Sequence, residues 1–136
     1  MNTSTLVHSV AIATFGGVLL FGGCAHTAGM AGQPETPAAR ADSVLSAVDD
    51  VVDARCDLEE RCHNVGAGQT FDSRDTCESK MQGTTANEIN AKDCPLGVDP
   101  NKLEACLASI RAEECGSVFD SLTRWNTCRP GQLCYK

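Results

Sequence analysis

The residues best equipped to do chemistry in this chain of 136 residues are its nine cysteines. Eight of them, Cys56, Cys62, Cys77, Cys94, Cys106, Cys115, Cys128 and Cys134, fall within one stretch of 79 residues, and Cys24 stands apart. Clustered thiols serve metals, redox exchange or cross-links, and spacing separates these uses. Zinc sites favour closely spaced pairs completed by a second pair or by histidines. Here successive cysteines enclose 5, 14, 16, 11, 8, 12 and 5 residues, no C-x-x-C occurs, and His63 is the only histidine among them. Metal binding and thioredoxin-like redox chemistry are therefore not expected. In an exported chain an even set predicts cross-links, here four disulfides through these eight residues. Eight cysteines allow on the order of a hundred pairings, so connectivity stays open.

Acid–base and nucleophilic chemistry finds little support. A hydrolase needs a base beside its nucleophile, and His63 alone could serve. No G-x-S-x-G, H-E-x-x-H, Walker loop or dinucleotide-binding glycine pattern accompanies it. His63 is expected to be a structural or surface residue. The carboxylate pairs Asp49-Asp50, Glu59-Glu60 and Glu113-Glu114 are sequence neighbours, which do not face each other on a helix. A solvated acidic face is the simplest account of them, and Asp49-Asp50-Asp53 lacks the spacing and glycine of a calcium loop. Neither catalytic residues nor a cofactor is expected. Trp125, between Arg124 and Arg129, is a candidate partner contact, since Trp and Arg are favoured binding anchors. It also fits an apolar helix face with Leu122, and with so few aromatics packing in the core is the expectation.

The first 23 residues carry no Lys, Arg, Asp or Glu, and Val10 to Phe21 form an apolar run of 12. A spanning helix needs roughly 20 apolar residues, so this run fits the core of a secretory signal better. Leu20-Phe21-Gly22-Gly23-Cys24 resembles the lipobox of bacterial lipoproteins, with an apolar residue, two small residues and then the cysteine. Two departures are Phe21, where Leu is commonest, and a leading segment without Lys or Arg. The resemblance implies that residues 1–23 are removed and that Cys24 becomes an acylated N-terminus. Plain secretion would leave Cys24 as a thiol. Acylation leaves the remaining eight cysteines to pair with none left over. Ala25, in place of Asp, implies the outer membrane rather than the inner. Beyond Cys24, the small and polar Ala25 to Ala39 is expected to be a flexible tether spanning about 20 Å. The lipidated N-terminus and tether thus occupy residues 24–39, and a stapled domain residues 40–136.

Positioning the domain cysteines falls to helices. Thr36-Pro37 is a helix start. Leu45, Val48, Val52 and Cys56, with Val44 and Val51, then trace a helical stripe to about Cys62. Asp72-Ser73 caps a second helix bearing Cys77, Met81 and Thr85, with Gly83 as a weak point. Asp99-Pro100 opens a third, with Leu103, Cys106, Leu107 and Ile110 on one face and Gly116 past its end. A short fourth helix starts at Ser117 or Asp120, carries Leu122 and Trp125, and is stopped by Arg129-Pro130-Gly131. No sustained alternation of β-branched residues predicts a strand. The expected fold is all-α, a small disulfide-rich bundle of about four helices.

Net charge is −7, with no charged residue in the leader, which argues against nucleic acid or anionic lipid as a charge-driven partner. The cysteine order, with the segments Arg61-Cys62-His63-Asn64-Val65-Gly66 and Cys94-Pro95-Leu96-Gly97-Val98-Asp99, resembles an uncharacterised family of small Cys-rich bacterial lipoproteins. The likeness runs from about residue 40 to residue 134. Some members of that family carry the label natural product biosynthesis lipoprotein, and no catalytic residues come with it. The expected function is a lipid-anchored, non-catalytic envelope protein, a binding or structural module held to the membrane through Cys24. The alternative, implied by the label alone, is an accessory role in making, exporting or tolerating a secondary metabolite.

Overall fold

The computed structural model describes residues 32–136; the leader, Cys24 and the tether up to residue 31 lie outside the described residues. Five helices follow in order: α1 (Pro37–Arg61), α2 (Arg74–Glu88), α3 (Pro100–Arg111), α4 (Val118–Cys128) and α5 (Pro130–Leu133). Among the described residues there is no strand, only the isolated bridges Val65–Phe71 and Val98–Cys134.

The starts of the helices follow local chemistry. The Thr36 side chain accepts from Ala39 N at 3.1 Å, with Pro37 in the first helical position. Helix α1 thus begins within the stretch read as tether, and Arg40 Nε donates back to Pro34 O at 3.0 Å. Ser73 Oγ accepts from Thr76 N at 3.2 Å, and Asp99 Oδ1 accepts from Asn101 N at 2.9 Å. Helix α2 passes Gly83 without a break. At the far end of α1, His63 takes φ +58°, His63 N donates to Glu60 O, and Asn64 N donates to Glu59 O. That pair of bonds is a Schellman turn, with His63 at the left-handed position that glycine usually fills.

Helix α1 packs against α2 and α3, and α4 and α5 close over α3. Its buried stripe runs through Val44, Ala47, Val48, Val51, Val52, Cys56 and Leu58. Leu45, expected on this stripe, is instead 61 % exposed, because the stripe is centred on its neighbours Val44 and Val48. Pro130-Gly131 adds an element. It does stop α4, which ends at Cys128. Pro130 then enters the first position of a new single turn that the sequence reading did not include, and this turn sinks Leu133 into the core.

All eight domain cysteines are paired. Cys56–Cys77 staples α1 to α2, and Cys106–Cys128 staples α3 to the end of α4. Cys62–Cys115 joins the end of α1 to the turn before α4, and Cys94–Cys134 ties the α2–α3 loop to the C-terminal residues. Cys56, Cys77, Cys94 and Cys106 rank with Ile89, Ile110 and Leu133 among the most deeply buried side chains. Half-cystines therefore supply much of the apolar interior that few aromatics could fill.

Candidate functional site

Most residues singled out by type or spacing serve the fold. Gly97 has φ +86°, and a Cβ there would meet Ser43 Oγ at 2.7 Å and Pro34 Cγ at 3.1 Å. Ser43 Oγ donates to Arg40 O and accepts from Val98 N, so it is held on both sides. Asp99 N donates to Leu133 O and Tyr135 N donates to Gly97 O, joining the loop to the C-terminal residues beside Cys94–Cys134. In the other distinctive segment, Asn64 Nδ2 donates to Glu59 Oε2 at 2.7 Å and Gly66 N donates to Phe71 O. His63 is exposed at its turn. Among the described residues no three of His, Cys, Asp and Glu converge on a metal geometry, and no helix is long and apolar enough to cross a membrane.

The acidic face of α1 has an organiser that sequence reasoning did not identify. Arg74, in the first turn of α2, lies 2.6 Å from Asp57, 3.1 Å from Glu60, 3.6 Å from Asp53 and 2.6 Å from Glu78. The hydrogen bonds it donates to Asp57 and then Glu78 raise its pKa further above the ordinary arginine value. The carboxylates are thus gathered around one cation.

Trp125 is different. Its side chain is not in the core but 66 % exposed, and Leu122, one turn earlier on the same face, is 63 % exposed. Two contacts explain the rotation of α4. Cys128 is tied to Cys106 on α3, and Arg124 Nη1 lies 2.6 Å from Glu113 Oε2. These turn Arg124 and Cys128 inward and leave Leu122 and Trp125, three residues apart on the helix, facing outward, with the exposed Arg129 just past the helix end. The Arg129 guanidinium sits over the indole, 5.8 Å from its centroid.

Beneath Trp125 lie two adjoining clefts. One, of about 100 Å³, is lined by Arg55, Glu88, Trp125, Cys128, Arg129 and Pro130. The other, of about 180 Å³, is lined by Arg55, Glu59, Met81, Glu88, Arg124 and Trp125. Arg55 forms their common floor. Its Nη1 donates to Thr85 Oγ1 at 3.1 Å and its Nη2 to Glu88 Oε2 at 2.7 Å, while its Nε is buried without a partner. The Cys56–Cys77 staple sets this register, since Arg55 adjoins Cys56 and Met81, Thr85 and Glu88 follow Cys77 along one face of α2. That periodicity was visible in the sequence, but the partner across 33 residues was not. A further cleft of about 260 Å³, beside Val44, Leu45, Val48, Ala86 and Ile89, has no charged lining residue.

No curated protein and no solved structure is detectably similar to the chain. A family model does match, over residues 56–136. The match opens on Cys56, the first half-cystine of α1, and so takes in all four bridges together with the Trp125 face. The chain belongs to this family of unknown function (DUF6184).

Proposed function

We propose that this protein is a non-catalytic binding module of the bacterial cell envelope, anchored by acyl groups on Cys24, with the face around Trp125 as its binding surface. The observation that carries the binding assignment is the exposure of Trp125 above two clefts on a rigid, cross-linked scaffold. A protein with so few aromatics gains stability by burying its one tryptophan, and here the ring is held outward by a disulfide and an ion pair. Support for the anchor comes from the Leu20–Cys24 pattern and from cysteine balance. Four bridges use every domain cysteine, so Cys24 is left as the ninth, with no partner in the domain. Disulfides also suit an exported compartment. Ala25 favours the outer membrane.

Intact mass of the protein from its native membrane fraction tests the anchor, with a chain starting at Cys24 and carrying acyl mass as the expected result. A soluble chain with a free thiol would overturn it. A photo-cross-linker at position 125, compared with one at exposed Gln69, tests the binding face in cells. A defined adduct from position 125 alone is expected, and equal labelling from both positions would sink the assignment. The natural-product label carried by similar lipoproteins would place a metabolite on this face, visible as a small added mass in the same experiment.

A further inference from the structure

We infer that the Trp125 clefts take a small organic monocarboxylate, its apolar body against the indole and its carboxylate on Arg129. The inference rests on the reading of this face as a binding surface and adds the chemistry of the ligand. Charge accounting around the clefts leads there. Glu88 is neutralised by Arg55 at 2.7 Å, and Arg124 by Glu113 at 2.6 Å. Arg129 has no carboxylate partner among the described residues, only the indole beneath it. The smaller cleft is therefore left with one uncompensated positive charge beside an aromatic wall. The larger cleft adds Met81 on its apolar side and Glu59, which keeps its negative charge because its partner Asn64 is neutral. The ligand's carboxylate therefore belongs at the smaller cleft beside Arg129, and only its apolar body reaches toward Met81.

A guanidinium presents a planar fork of donors that matches a carboxylate. Volume limits the body of the ligand. Cavities near 150 Å³ hold a benzene ring, and the two clefts, about 100 and 180 Å³, are on that scale. A polyanion is disfavoured by the chain's net charge of −7.

The test titrates sodium phenylacetate into the oxidised full-length chain while following the indole Nε1–H resonance, which is unique because the chain has one tryptophan. Phenylacetamide serves as the uncharged isostere and phenethylamine as the cation. Phenylacetate is expected to bind at least about fivefold more tightly than either, with an advantage that shrinks in high salt. Arg129→Gln is expected to erase the difference between acid and amide, and Arg129→Lys to restore part of it. Arg129 is exposed, so neither variant should disturb folding. Equal binding of acid and amide, an unchanged response in Arg129→Gln, or no saturable shift with any probe would overturn the inference. None of these outcomes touches the cross-linking test, so the binding face can stand while its ligand chemistry falls. A peptide ending in a free phenylalanine carboxylate that binds about tenfold more tightly than phenylacetate would overturn the small molecule in favour of a protein C-terminus.

Discussion

The loop from Cys94 to Asp99 and the outer face of α4 use their side chains in opposite ways. In the loop, Gly97 leaves no room for a Cβ, Ser43 holds Val98 N, Asp99 caps α3, and Cys94 is bonded to Cys134. On α4, Leu122 and Trp125 stand in solvent, and Arg129 has an indole for company in place of a carboxylate. The loop contains one of the two segments that make the sequence distinctive, yet its residues are consumed by holding three parts of the chain together. A distinctive motif in a small stapled domain therefore marks where the fold is closed. The groups left over on the cross-linked scaffold are the ones we propose for binding.

That contrast is open to breakage, first through the loop. Replacing Cys94 and Cys134 by alanine opens a cross-link spanning 40 residues, and chain entropy puts the expected loss at about 4 kcal/mol, read from denaturant unfolding. Gly97→Ala comes next, at about 2–4 kcal/mol, from a left-handed φ combined with overpacking against Ser43 and Pro34. Gly116→Ala is its control. It shares a positive φ, +80°, but opens onto free space, so about 1–2 kcal/mol is expected. If both glycines cost the same, close packing is not what specifies Gly97.

Tyr135 sharpens the same region through pH. Its hydroxyl is buried without a partner, and burial, aided by the charge of Asp99, raises its pKa above the usual 10.0. The unfolded chain then releases the phenolic proton before the folded one does, so this contribution to stability is intact below pH ~10 and declines above it. Tyr135→Phe should flatten that alkaline decline in urea midpoints and leave stability at pH 7 unchanged or higher, because it removes an unpaired buried hydroxyl.

The smallest stability effect is expected on the other side of the comparison. Trp125→Ala should change unfolding free energy by no more than about 0.5 kcal/mol, against about 3–5 kcal/mol for a buried tryptophan. A large loss would mean that the ring is a structural member after all, and would return α4 to the core.

What was legible in the sequence was local. Thr36-Pro37, Ser73 and Asp99-Pro100 announce three helix starts, because a cap bonds to amides two or three residues away. The number of bridges followed from parity, but the partners did not, since pairing depends on how helices meet. Periodicity placed Leu122 and Trp125 together on one face of α4, and that grouping holds. Which face turns inward is decided elsewhere, by Cys106 and Glu113 on other parts of the chain. Leu45 failed for the related reason that a wide stripe has edges. The floor of the candidate site was least legible, because Arg55 and Glu88 meet only after α1 and α2 are cross-linked.

The outward indole also determines how this protein can be watched. With one tryptophan, all indole fluorescence comes from a ring that is already largely hydrated in the native state. Emission should therefore change little when the domain unfolds, and an observer relying on it would miss a transition that circular dichroism records in full. The same light should respond when a ligand covers the ring. The chain thus carries an optical reporter nearly blind to folding and sensitive to occupancy, since a ring already in water has nowhere wetter to go.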